Sequence, residues 1–168
     1  MNITGQVDLG KGKLIERYPT WGPEFSVKMD ITIKALPPNT PKYRSLLHFT
    51  EYSNVKNYGD RVPAIWLHKG GFLLVCSAIS GKKNKCTHVH QAIGQQFTLE
   101  IKQATSQSDG KMLYEIFVDG NSVYSIENTQ PMSFTNVKAY GGDPWYDTIN
   151  PEVIEVSNLK LCNLSQNM

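Results

Sequence analysis

Residues 61–80 read RVPAIWLHKGGFLLVCSAIS. Two apolar runs, 62–67 and 72–79, flank the polar turn His68-Lys69-Gly70-Gly71. Paired glycines between β-branched, aromatic and aliphatic runs signal a hairpin, because glycine reaches the positive φ that tight turns need. In the second run both parities are mostly apolar: Phe72, Leu74, Cys76 and Ala78 on one face, Leu73, Val75 and Ile79 on the other. A strand apolar on both faces is covered on both sides. The hairpin is therefore expected at the centre of a β-sheet.

Upstream, Phe25, Val27, Met29, Ile31 and Ile33 alternate with Ser26, Lys28, Asp30, Thr32 and Lys34. This period of two predicts a strand with one packed and one wet face. Pro37, Pro38 and Pro41 end it, since proline cannot donate to a ladder. Residues 43–50 (YRSLLHFT) form the next strand, and the polar stretch 51–61 (EYSNVKNYGDR) a long loop. Residues 1–22 read as glycine-rich turns with one short alternating piece around Val7 and Leu9.

Downstream, strands are expected at 86–93, around 97–101, at 112–118 and 123–126 about an Asp119-Gly120 turn, and at 134–140. The loop 141–151 (GGDPWYDTINP) follows. In the last strand, 153–161, the inward positions change from Ile154 and Val156 to Leu159 and Leu161. That change needs one extra residue near Ser157-Asn158, a β-bulge. No segment keeps a helical period, so the pattern predicts one all-β domain spanning residues 1–168, an antiparallel sandwich or jelly roll.

The 168 residues are 40% hydrophobic, enough for a real core. A formal net charge of +2 gives no reason to expect nucleic acid. No apolar run of about 18 residues is present, so no membrane-spanning helix is expected. The opening MNITGQVDLG has neither a basic n-region nor an apolar h-region. Cytoplasmic residence, or a signal peptide already removed, both fit.

Cys76 and Cys86 lie symmetrically about Gly81, in the polar turn SGKKNK. If the flanking strands close there, the two face each other and a cross-strand disulfide is open to them; two reduced thiols are the other reading. In the last strand, Leu159 and Leu161 face the core, so Lys160 and Cys162 point outward.

The motifs LHFT, YGDRVPAIWLH, GGFLLVCSAISG, FTLEIKQ, YEIFVDGNSVYSIENTQP, FTNVKAYGGDPWY and NLKL cover most of residues 25–162. In this order they resemble the concanavalin A-like, laminin G-like jelly-roll superfamily, and within it the galactose-binding lectins of sea anemones. The resemblance implies a secreted, oxidised protein with Cys76 paired to Cys86, and binding of terminal β-galactosides. It leaves Cys162 as the odd thiol. An odd cysteine in a secreted protein suggests an interchain bond and hence a homodimer that cross-links glycans. A free thiol near the terminus is the alternative.

The superfamily also contains matrix modules and glucanases. Retaining hydrolysis needs two carboxylates about 5–5.5 Å apart on one cleft. Glu100 stands alone in its strand, and Glu152 and Glu155 have opposite parity, so no enzyme is expected. A non-enzymatic matrix module is the alternative to a lectin. His88 and His90 alternate on one strand face without a third partner at zinc spacing, and read as an exposed face. Calcium needs only oxygens and is the one cofactor left open, with Asp143 and Asp147, or Glu51, Asn57 and Asp60, as candidates.

A galactose ring offers a C–H face for stacking and hydroxyls that need paired polar partners. Two loops supply both. One has Trp145 and Tyr146 beside Asp143 and Asp147. The other has Tyr52 and Tyr58 beside Glu51, Asn54, Asn57, Asp60 and Arg61. Asp143-Pro144 can equally start a turn, and Asp60–Arg61 can equally brace its loop.

Overall fold

The clearest alternation in the chain is built as expected: Phe25, Val27, Met29, Ile31 and Ile33 are all buried, while Lys28 between them is exposed. The computed structural model describes residues 1–147 and 149–166. Its strands are β1 (Asn2–Gln6), β2 (Leu14–Trp21), β3 (Phe25–Ile33), β4 (Tyr43–Thr50), β5 (Ala64–His68) and β6 (Leu73–Ile79). They continue as β7 (Lys82–Val89), β8 (Gln96–Thr105), β9 (Met112–Val118), β10 (Asn121–Glu127), β11 (Phe134–Tyr140) and β12 (Ile154–Asn163), with a 3-10 turn at Leu164–Gln166.

Two six-stranded antiparallel sheets result, ordered β1-β12-β3-β8-β9-β10 and β2-β11-β4-β5-β6-β7. Their facing sides share one core, in which Val27, Ile31, Leu99, Ile101 and Ile116 of the first meet Leu47, Phe49, Ile65, Leu67, Leu73 and Val75 of the second. Each such side chain contributes roughly 1.5–3 kcal/mol on burial. The bulge in the last strand is present. Register shifts between Ser157 and Lys160, Asn158 takes φ +52, and Ile154, Val156, Leu159 and Leu161 are all buried.

Three expectations need correction. Residues 1–22 hold two strands, not turns alone. Both are edge strands: β1 pairs only with β12 and β2 only with β11, so backbone bonds hold them and little alternation is required. Pro19 is tolerated in β2 because an edge strand has a free side. The stretch SGKKNK is not a loop either. Ser80 and Gly81 take φ 51 and 77, a two-residue turn, so the lysines lie within β7. Lysines on an edge strand discourage pairing with another chain.

The third concerns the centre of the sheet. β4 and β5 occupy it, whereas β6 has only β7 beyond it. Residues 44–50 of β4 are all buried, because loops fold over its outer face. The register sets Cys76 directly opposite Cys86, and the disulfide is formed. Cys162 is a free, half-buried thiol opposite Ser26 of β3.

Candidate ligand-binding site

The outer face of the second sheet divides in two. Over β4 it is roofed by residues 51–63 and 141–147; over β5–β7 it is open. His48 pins the roof, because it lies on the outer parity of β4 opposite Ala64. Its Nδ1 is 2.8 Å from Asp143 Oδ2 and its Nε2 is 2.6 Å from the Asp60 carbonyl, so one buried ring joins both loops. The carbonyl can only accept, which makes Nε2 a donor.

Asp143 organises its own turn. Oδ1 accepts the N–H groups of Trp145 (3.0 Å) and Tyr146 (2.8 Å), and its own N–H donates to Ser45 Oγ. Burial opposes ionisation of Asp143, but bonds from His48, the Tyr146 N–H and Ser45 outweigh it and hold the carboxyl below its usual value. Asp60 serves the other loop in the same way. Its oxygens accept from the Ser53 and Asn57 N–H groups and the Ser53 hydroxyl. Burial is again the largest effect and is again overcome, leaving Asp60 below its usual value.

The roof sends one side chain from each loop to the open half. Arg61 lies 4.4 Å above the Trp66 ring, a cation–π contact. It donates to the Asn54 carbonyl, to Asn54 Oδ1 at 2.9 Å and to Asn84 Oδ1 at 2.6 Å. Burial lowers the guanidinium from its usual value, opposed by Tyr146, Asp143 and Asp60 nearby. Tyr146 meets the same Trp66 ring edge-on at 5.7 Å. Between them is a cavity of about 350 Å³ lined by Tyr43, Arg61, Trp66, Leu74, Asn84, Cys86 and Tyr146. Trp66 is buried with its Nε1 donor lacking a partner among the described residues.

Of the residues expected at a site, Arg61 and Tyr146 line this cavity. Asp60 and Asp143 stand behind it as loop braces. Trp145 is 40% exposed beside the roof, its ring edge-on to His48 and Tyr140. The others point elsewhere. Glu51 accepts from the Thr135 N–H, exposed Asn57 offers its N–H to Asp60, Tyr58 packs on Phe134, and Asp147 is paired with Lys11 at 3.5 Å. Among the described residues no group of three or more His, Cys, Asp and Glu side chains could hold a metal ion. His88 and His90 instead flank the Phe72 ring.

Tyr43, Trp66, Leu74 and Asn84 were missed from the sequence. For Trp66 and Leu74 the signal was the doubled apolar parity of the hairpin 61–80, where both are outward positions with no second sheet to cover them; Tyr43 and Asn84 had no such signal. Another cavity, about 290 Å³, lies between Val7, Leu9, Ile149, Ile154 and Val156. It has no aromatic wall, and its carboxylates Asp8 and Glu155 already pair with Lys13 and Lys34.

The architecture is similar to several solved structures. The serotype D botulinum neurotoxin ligand binding domain in complex with N-acetylneuraminic acid matches with TM-score 0.58 and 12% identity, over 96% of this chain and 38% of that one. The heptameric SAP-like pentraxin of Limulus polyphemus matches with TM-score 0.54 and 12% identity, over 95% of this chain and 74% of that one. The fold is a concanavalin A-like jelly roll. The serotype G toxin binding domain agrees, with TM-score 0.58 and 10% identity, over 88% of this chain and 34% of that one. This jelly roll thus spans little more than a third of the toxin domains it matches. No family model and no curated protein matches the sequence. The sea-anemone lectin resemblance therefore rests on the sequence motifs alone.

Proposed function

We propose that this jelly roll is a non-enzymatic carbohydrate-binding protein that takes a galactose-type glycan in the cavity between Arg61, Trp66 and Tyr146. One observation carries the reading. The cavity joins aromatic walls to polar groups that the fold holds still, as small-ligand sites do. Tyr43 and Tyr146 offer rings to the C–H face of a sugar. Arg61 and Asn84, locked to each other, offer a charged fork and an amide to neighbouring hydroxyls. One structural neighbour is a toxin domain in complex with N-acetylneuraminic acid, which fits a saccharide ligand on this fold.

Catalysis is not part of the reading. Glu100 accepts from Ser26 and Glu155 pairs with Lys34 at 2.7 Å, and no carboxylate lines the cavity. Secretion fits the disulfide. Cross-linking of glycans would follow from a dimer joined through Cys162. A glycan array run with and without chelator tests the proposal: galactosides should bind in both conditions. A blank array from folded protein would overturn it in favour of a matrix module, and chelator-sensitive binding would place calcium at the site.

A further inference from the structure

Outward side chains of β4–β7 form successive rows across the sheet. His48, Ala64, Cys76 and Cys86 make one row, and Ser45, Trp66, Leu74 and His88 the next. The third holds Tyr43, His68, Phe72 and His90, with the His68 N–H bonded to the Phe72 carbonyl. In that row His68 stacks on Phe72 at 4.2 Å, and His88 and His90 approach the same ring at 4.8 Å each. One half-buried phenyl ring is thus collared by three imidazoles.

The surroundings are cationic. Residues 61–99 contain no Asp or Glu. Lys42 sits 5.3 Å from the Tyr43 ring, and Lys69 follows His68 in the chain. Neither is among the ion pairs of the described residues. Burial, then Lys42, Lys69 and His88, lower the pKa of His68, as expected where positive groups crowd without a counter-charge. The collar also touches the cavity. The Tyr43 ring is 5.2 Å from His68, and Leu74, opposite His88, is a cavity wall.

We propose that His68, His88 and His90 around Phe72, with Lys42 and Lys69, form an anion subsite for the sulfate or carboxylate of an acidic saccharide. A neighbouring ring of that saccharide occupies the Arg61–Trp66 cavity, and the subsite strengthens as the imidazoles protonate. The second part rests on the carbohydrate reading above; the first does not. The facing titratable groups are Lys42 and Tyr43 from β4 and its lead-in, His68 and Lys69 from β5 and its turn, His88 from β7 and His90 just past its end. None of them is a carboxylate, so nothing within the cluster offers the lysines and imidazoles a counter-charge. An anion supplied by the ligand would.

The test compares a neutral galactoside with its sulfated and its uronic-acid-containing counterparts by calorimetry at about pH 8 and about pH 5.5, a window that spans imidazole titration. Both acidic saccharides should gain about tenfold in affinity on acidification, a difference of about 1.4 kcal/mol, while the neutral one changes less than about twofold. A gain for only one of them assigns the source as sulfate or carboxylate. The double variant His88→Gln/His90→Gln, on an exposed edge, should lose the gain and keep neutral binding. An equal gain in that variant, or for the neutral sugar, overturns the subsite. Imidazole NMR titration with methyl sulfate and with glucuronate separates the two readings. Raised titration midpoints at His68, His88 and His90 support the subsite even if neutral sugars fail to bind; unmoved midpoints overturn it even if they bind.

Discussion

The two halves of the second sheet's outer face use the same strands and the same alternation, yet opposite chemistry. Over β4 the face is sealed, and its polar groups satisfy one another: His48 with Asp143 and the Asp60 carbonyl, and the two carboxylates with loop N–H donors. Over β5–β7 the face is open and, among the described residues, carries no carboxylate and leaves the Trp66 Nε1 donor without a hydrogen-bond partner and Lys69 at its edge without an ion pair. Loop length makes the difference. The loops after β4 and β11 are long enough to fold back, whereas β5–β6 and β6–β7 are joined by tight turns that cover nothing. Buried polar groups need partners, so the polar groups of the sealed half are spent on one another, and the open half is where the ligand is proposed to bind.

The largest effect should come from breaking the sealed half. Asp143→Ala leaves His48 buried without its carboxylate and frees two N–H groups, and should cost about 3–5 kcal/mol in urea unfolding. A cost below about 1 kcal/mol would show that the junction does not hold the roof. The same groups set an acid dependence. Asp60 and Asp143 have folded values below their unfolded ones, so their contribution is present above the unfolded value of about 3.9 and is lost as pH falls through the folded values. Stability should hold steady near neutrality and fall below about pH 4. In Asp143→Asn the fall should be shallower.

The disulfide borders the open half and is the next largest. Replacing Cys76 and Cys86 together by Ala should cost about 2–3 kcal/mol, since the bond closes a short loop that the hairpin already restrains. Reduction by dithiothreitol should lower the melting temperature of the native protein and leave that of the double variant unmoved.

A smaller effect sharpens which half binds. Tyr146→Ala should weaken galactoside binding by about 1–2 kcal/mol and Trp145→Ala by about 0.5–1, because Tyr146 lines the cavity and Trp145 stands beside it. The reverse order would move the site out to the loop tip. Cys162→Ser should change stability by less than about 0.5 kcal/mol, the ordinary range for a substitution away from the core. If the dimer proposal holds, a non-reducing gel should show a dimer band near twice 18.9 kDa for the native chain and none for this variant.

The strands that alternate could be read residue by residue. Period-two burial depends on each residue's own neighbours along the chain, and β4, β9 and β11 have the expected ends. The bulge near Asn158 was legible for the same reason, as a break in parity. So was the meeting of Cys76 with Cys86, because a hairpin register follows from its turn. Residues 1–22 were not, since an edge strand takes its hydrogen bonds from a partner distant in sequence, whatever its side chains are. The two candidate loops were visible as mixtures of rings and polar groups, but which groups remain free was not. That depended on β4 lying between β11 and β5, which sets His48 under both loops and turns Asp60 and Asp143 inward. Composition names the groups that could touch a ligand. Tertiary structure decided which of them were already satisfied, because hydrogen-bond partners across a sheet are fixed by strand order and not by spacing along the chain.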